Sequence, residues 1–265
     1  ENVAKKFQGM VKRCADSGFD LAAGLVEVVP TAHYLMGGVV VDVETRTSLA
    51  GLYVAGEDAG GAHGSNRLGG NGVANSTVYG GIAGDVMAAD AQKMGALHDP
   101  DETILDQELA RAIIPFSAKP GNVQELRVRL MDAMWDDVGV MRDAAGLKRG
   151  IKKIASLKSD MENVGVSGDN LAFNLSWHDW LSLQSLIDTS EVIAKAGLSR
   201  ENSRGAHFRE DFPDAGSLED SYFPIATSGD KGIEVNREAV KFTIVKPGES
   251  LLGADEAETL VEAAQ

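Results

Sequence analysis

The sequence predicts an α/β segment, then an all-α helical bundle, then a small mixed C-terminal region. Three observations carry that prediction: β-branched runs broken by glycine and proline between residues 25 and 55, helical apolar stripes from about residue 102, and alternating runs near the C-terminus. With 265 residues, 43% hydrophobic and 25% charged, the composition is that of a globular chain with a sizeable core, arranged as one large domain or two.

A formal charge of −15 argues against a surface that holds nucleic acid through its phosphates or lies on anionic lipid. Any small anionic ligand must therefore be attracted by a few local cations. No apolar run is long enough to cross a bilayer, and no signal-like succession opens the chain, so direct membrane insertion is not expected. Cys14 is the one cysteine, which excludes an intrachain disulfide and a cysteine metal cluster. A reducing, cytoplasmic compartment fits, and no metal site is predicted.

Taken in order, residues 1 to 24 begin with a helix. Val3, Phe7, Met10, Val11 and Cys14 fall near a helical period, and Ser17-Gly18 is a plausible stop. A helix at the first residue with no entering strand suggests a fragment or a processed chain. Residues 25 to 41, "LVEVVPTAHYLMGGVVV", predict short strands joined by turns at Pro30 and Gly37-Gly38. Leu52 to Ala55 predict a short buried strand ending at Gly56-Glu57.

The stretch "HGSNRLGGNGVANSTVYGG", residues 63 to 81, then leads into a helix over roughly 72 to 92. Ser76, Gly80, Gly84 and Ala88 recur on one face of that helix. Each interior glycine costs about 1 kcal/mol relative to alanine, which predicts close packing against a neighbour at Gly80 and Gly84.

Two stripes define the bundle. One runs through Val123, Leu126, Leu130, Met131, Met134, Trp135 and Val138, the other through Leu171, Leu175, Leu181, Ile187, Val192 and Ile193 around Trp177 and Trp180. They read as core, and short connections at Lys119-Pro120-Gly121 and Gly165 to Asp169 favour antiparallel neighbours. After "SRENSRGAHFREDFPDAG" the runs "SYFPIAT", "GIEVN" and "VKFTIVKP" predict strands. The acidic, alanine-rich end reads as a solvated helix or a frayed tail.

Few residues present chemistry. His33 stands in "PTAHYLMGG", where proline and paired glycines redirect the chain and present the side chain, although a lone histidine in an apolar strand is more often structural. Arg67 is flanked by Gly64, Gly69, Gly70 and Gly72, which allow a ligand close to the backbone. Its guanidinium matches a carboxylate bidentately, which a lysine does less well. Asn71, Gly72 and Val73 open a helix whose free N–H groups favour negative charge: a phosphate, or the N1/O2 edge of a reduced flavin. Glu57, directly after a strand end, could accept hydrogen bonds from ribose or ribityl hydroxyls, or be a surface glutamate.

Taken together and in order, "PTAHYLMGG", "GLYVAGE", "HGSNRLGGN" and "SRGAHFREDFP" resemble the flavoprotein subunit of succinate dehydrogenase and fumarate reductase, with aspartate oxidase and adenylylsulfate reductase as relatives. The resemblance implies FAD as cofactor and the C-terminal part of a Rossmann-like FAD-binding domain. It divides the chain into the end of a capping domain (1–24), that FAD-binding part (25–98), a helical domain (99–200) and a C-terminal region (201–265).

It implies interconversion of succinate and fumarate, or a similar dicarboxylate, by hydride transfer to or from flavin N5. His33 and Arg67 would hold a substrate carboxylate, and Tyr34, Glu57, Asn71, Gly72 and Val73 would contact FAD. Where the family commonly has Ser-Leu this chain has Gly72-Val73, which removes a hydroxyl but keeps the backbone donors. Most of "SRGAHFREDFP" is expected to be structural, and His207 receives no chemical role.

The family's dinucleotide fingerprint, flavin-linking histidine and proton-transferring arginine are not found in these residues, so the chain reads as a part that would not catalyse alone. Its implied partners are the remaining N-terminal part of the flavoprotein and an iron–sulfur subunit, which would bring it to the cytoplasmic face of a membrane. Two alternatives stand beside this: a non-catalytic flavin-binding or docking subunit of an electron-transfer complex, and an aspartate oxidase-like enzyme.

Overall fold

The computed structural model describes residues 2–29, 33–96, 99–229, 232–247 and 249. It divides into two compact units, Glu1–Tyr34 and Leu35–Gln265. Pro30 and the acidic end of the chain lie outside the described residues.

In the first unit the predicted helix forms as two pieces, α1 (Asn2–Lys6) and α2 (Gln8–Asp16). The break is at Phe7, whose φ of −125° and ψ of 43° leave the helical region. Val3, Phe7 and Met10 stay exposed, so the apolar stripe buries little among the described residues. Residues 25 to 29 form no strand, and Leu25, Val28 and Val29 are exposed.

The second unit is mostly helical with one small sheet. Its first residues also depart from the prediction: among the described residues, Leu52 to Ala55 and the run before them form only isolated bridges, Val39 to Ala59 and Arg46 to Tyr53. A strand is stabilised by the N–H and C=O groups of a neighbour. Here the neighbours are single turns, with Val39 donating to Asp58 (2.8 Å) and Gly60 donating back to Val39 (2.9 Å). The β-branched residues are present, but a ladder is not.

Helix α3 (Asn71–Met94) extends slightly beyond the predicted span at both ends. Its C-terminal half is tied to the Arg46–Tyr53 bridge through Asp90, which accepts from Tyr53 Oη at 2.8 Å and Arg46 Nε at 3.0 Å. Those two donors hold the Asp90 carboxyl below its ordinary range. The close packing predicted at Gly80 and Gly84 is not found: a Cβ added at either would meet nothing within 4 Å. Only Asn75 and Ala83 of this helix are buried.

The bundle comprises α4 (Glu102–Ile113), α5 (Val123–Val138), α6 (Ala144–Met161) and α7 (Leu175–Ser199). Each start is set by a side-chain cap: Asp101 accepts from Thr103, Asn122 from Glu125, Asp143 from Gly146 and Asn174 from Trp177. Leu126, Leu130 and Val138 of α5 meet Leu147, Ile154 and Leu157 of α6 and Trp180, Leu183, Ile187 and Ala194 of α7 in one core. Trp180 satisfies its buried N–H on the Val164 carbonyl at 2.9 Å. The two predicted connections pair with each other, Gly121 donating to Gly165 and Gly165 to Lys119.

Met131, Trp135, Leu171 and Leu175, expected in the core, are exposed instead. Met131 and Trp135 sit four residues apart on a second face of α5, so the stripe is wider than the packed side. Strands β1 (Tyr222–Gly229) and β2 (Gly232–Ala239) form an antiparallel hairpin, while "VKFTIVKP" forms no strand. The hairpin docks on the end of α7: Lys195 Nζ donates to the Ile233 carbonyl and Arg237 to the Ser199 carbonyl. Arg200 and Arg237 both lie over the Tyr222 ring, at 4.9 and 4.8 Å.

Candidate functional site

His33 and Tyr34 belong to the first unit, His33 exposed and Tyr34 half-buried. Glu57, Arg67, Asn71, Gly72 and Val73 belong to the second, where the structure relates them to one another. The turn that carries Glu57 is fixed first. Asn75, on the first turns of α3, donates to the Gly56 carbonyl at 3.2 Å and meets His63 Nε2 at 3.0 Å. A buried amide thus joins the Glu57 turn, the start of the glycine-rich loop and the start of α3. Glu57 itself is exposed and accepts the Leu35 N–H at 3.0 Å, so one oxygen is already engaged with backbone.

Arg67 is half-buried, and its Nη1 donates to the neighbouring Leu68 carbonyl at 3.3 Å. The chain then turns into α3 at Gly70, with φ of +81°, a left-handed conformation that a side chain would strain. Asn71 N–H is satisfied by the Leu68 carbonyl. Helix geometry gives the next two N–H groups, those of Gly72 and Val73, no intrahelical acceptor. The backbone around Gly69 and Gly70 is open, since a Cβ at either would meet nothing within 4 Å. Val54, Ala59, Asn75 and Tyr79 line a cavity together with Asp42 and Thr45.

These features suit an electron-rich ring edge or an anion: exposed backbone donors and the positive end of a long helix. Substituting Gly72-Val73 for Ser-Leu leaves that donor set intact, because the donors are main-chain.

The segment "SRGAHFREDFP" forms a polar network around one buried side chain, Arg209. Arg209 is almost fully buried, donates from Nε and Nη2 to both Asp211 oxygens at 2.7 Å, and donates from Nη1 to the carbonyls of Gly197, Leu198 and Arg200. Arg142 Nη1 lies 2.9 Å from His207 Nδ1. Asp211 is held down to about 2, first by the Arg209 hydrogen bonds. Burial, reinforced by Arg142, pushes His207 down to about 4 from its ordinary 6.5.

His207 therefore stays neutral in the folded state where the unfolded chain would take up a proton. Stability from this group is fully present above about pH 6.5 and falls as pH drops through the window to about 4. Glutamine at His207 keeps an acceptor for Arg142 and removes the titration. His207→Gln should flatten the fall in thermal midpoint between pH 7 and pH 5, measured against the unsubstituted protein.

No sequence signal singles out Asn75, His63 or the individual partners of Arg209, although "SRGAHFREDFP" as a whole reads as structural. Among the described residues no group of histidine, cysteine and carboxylate side chains could hold a metal, and no helix is long and apolar enough to cross a membrane.

Comparison with known proteins defines the class. Residues 1–73 match the FAD binding domain, a span that contains all seven candidate residues, and residues 127–251 match the family described as fumarate reductase flavoprotein C-term. FAD is the cofactor that follows. The chain belongs to the flavoprotein family of fumarate reductase and succinate dehydrogenase.

It is 30% identical to the fumarate reductase flavoprotein subunit of Haemophilus influenzae, over 87% of this chain and 39% of that one. It is 33% identical to L-aspartate oxidase of Yersinia pestis, over 80% of this chain and 38% of that one. Among solved structures, the Mycobacterium smegmatis Sdh1 complex in its apo form matches with a TM-score of 0.80 at 32% identity, over 98% of this chain and 45% of that one. The chain thus spans about two-fifths of the length of the curated relatives it matches.

Proposed function

We propose that this chain is part of an FAD-dependent oxidoreductase that interconverts succinate and fumarate, or a similar dicarboxylate. The observation that carries the reading is the junction at Gly70. It sets a half-buried guanidinium four residues before the open N-terminus of a long helix, so one loop serves two negatively charged groups.

Arg67 holds a substrate carboxylate with paired N–H donors, and His33 holds and polarises the same carboxylate. Tyr34 lies beside the cofactor, and Glu57 accepts from a sugar or ribityl hydroxyl with the oxygen that Leu35 leaves available. Asn71, Gly72 and Val73 bring backbone donors to the ring edge. When bound, FAD supplies the two-electron donor or acceptor. The work of these residues is orientation, which is worth about 7–11 kcal/mol of a barrier in favourable cases.

The complementary proton transfer belongs to the remainder of the flavoprotein. The proposed partners are that remainder and an iron–sulfur subunit, through which the protein reaches the cytoplasmic face of a membrane. The likeness to L-aspartate oxidase supports a second reading, in which the carboxylates held are those of aspartate.

The test is an absorption spectrum of the complete flavoprotein titrated with succinate, fumarate and aspartate. Perturbation of the flavin bands by succinate and fumarate at lower concentration than by aspartate is the expected result. The reverse order would establish the second reading, and no response to any of the three would remove both.

A further inference from the structure

We propose that the Arg204–His207 turn, centred on Gly205, is the positioning element that sets the Ser65–Arg67 loop for carboxylate binding. This rests on the reading of Arg67 as the carboxylate-holding residue. The turn reaches the loop directly: the Ala206 N–H donates to the Ser65 carbonyl at 3.0 Å, two residues before Arg67. Gly205 has φ of +55°, and a Cβ built on it would overlap the Ser65 carbonyl and stand 2.8 Å from Ser65 Oγ. Only a residue without a side chain lets the two backbones meet this closely.

The turn is held rigidly from behind. Arg204 and His207 exchange backbone hydrogen bonds at 2.9 and 3.0 Å. The Arg204 guanidinium donates to the carbonyls of Ala215 and Ser217 and to Ser221 Oγ. His207 is bound to Arg142, whose own carbonyl accepts from Glu210. A path of hydrogen bonds therefore runs from the end of α5, where Arg142 Nε donates to the Val138 and Gly139 carbonyls, through the turn to the loop that carries Arg67. The loop needs such a support. Glycines at 64, 69 and 70 give it wide conformational freedom, and ordering it at the moment of binding would weaken the complex. Fixing one carbonyl close to Arg67 removes part of that cost beforehand.

The experiment uses the complete flavoprotein with Gly205→Ala, Gly216→Ala and Arg67→Ala prepared in parallel. Gly216 has φ of +69° and open surroundings, its nearest neighbour being Arg204 Nη2 at 3.8 Å. It therefore imposes a comparable backbone strain in the same region without pressing on Ser65. Gly205→Ala is expected to raise KM for the dicarboxylate on the order of tenfold at unchanged flavin content, with kcat changed less, while Gly216→Ala stays within about twofold. An unchanged KM and kcat/KM in Gly205→Ala, beside a lowered kcat/KM in Arg67→Ala, overturns the positioning role and leaves the carboxylate reading intact. An unchanged kcat/KM in Arg67→Ala removes the carboxylate reading and this inference with it.

Should Gly205→Ala fail to assemble, hydrogen–deuterium exchange on the unsubstituted flavoprotein decides. Saturating succinate should slow exchange in the peptide spanning 204–208 together with that spanning 63–72. Protection confined to 63–72 would overturn the proposal.

Discussion

Arg67→Ala in the complete flavoprotein is expected to lower kcat/KM for succinate or fumarate by roughly 10²–10³-fold, with FAD still bound. The magnitude follows from what the side chain supplies. A guanidinium on a carboxylate makes two parallel charge-assisted hydrogen bonds, and removing it leaves the carboxylate without that counter-charge. Arg67→Lys should recover only part of the loss, since an ammonium restores the charge but not the planar fork. Most of the effect should appear in KM if the carboxylate is held equally in the ground and transition states, and in kcat if the contact tightens as the reaction proceeds. Steady-state kinetics with both substrates, alongside flavin content by absorbance, separates these outcomes. Equal turnover in the alanine variant would show that the carboxylate is held elsewhere.

The residues that could be read from the sequence are those whose chemistry is local. Arg67 among four glycines, and Asn71-Gly72-Val73 at a helix start, are visible because glycine freedom and helix capping act over a few positions. Helices α5 and α7 are legible for the same reason, their apolar stripes being periodic over many turns. The strands predicted between residues 25 and 55 fail because a strand depends on a partner that the periodicity of one segment cannot supply. Gly80 and Gly84 fail similarly: a small-residue face signals that something could approach, not that it is present in these residues.

The supports of the site are hidden because they act between distant segments. Asn75 joins positions 56 and 63 to α3, and Ala206 joins the C-terminal region to Ser65. Neither an asparagine within a helix nor an alanine after a glycine has a pattern that announces such a contact. Arg209 in "AHFRED" looks like one charge in a cluster, the common state of surface arginines. Only the fold shows that it is buried.

Arg209 is where the largest loss of stability is expected. Its Nε and Nη2 grip both Asp211 oxygens, while Nη1 collects three carbonyls at the end of α7, where a helix leaves its C=O groups unsatisfied and its dipole is negative. Its guanidinium also lies over Phe212, 5.0 Å from the ring centre. Methionine keeps an unbranched apolar side chain in this buried place and removes every donor. Arg209→Met should therefore cost at least about 1–3 kcal/mol, the range for leaving buried hydrogen-bonding groups without a partner, here the carbonyls at the end of α7. Lysine at Arg209 keeps the charge but not the fork and should fall between the two. The exposure of Asp211 has a sharper consequence. Its carboxylate also accepts the Ala144 N–H at 3.0 Å at the start of α6 and stays solvated without Arg209, so Asp211→Asn added to Arg209→Met should not restore stability. Thermal and denaturant unfolding of the complete flavoprotein, followed by the helical signal and by flavin release, measures both. Because a protein of several domains need not unfold in one step, the comparison is made on the transition that carries the helical signal. A double variant clearly more stable than Arg209→Met alone would mean that the Asp211 carboxylate does depend on Arg209 for its charge, and that the carbonyls of α7 are not what sets the importance of this buried arginine.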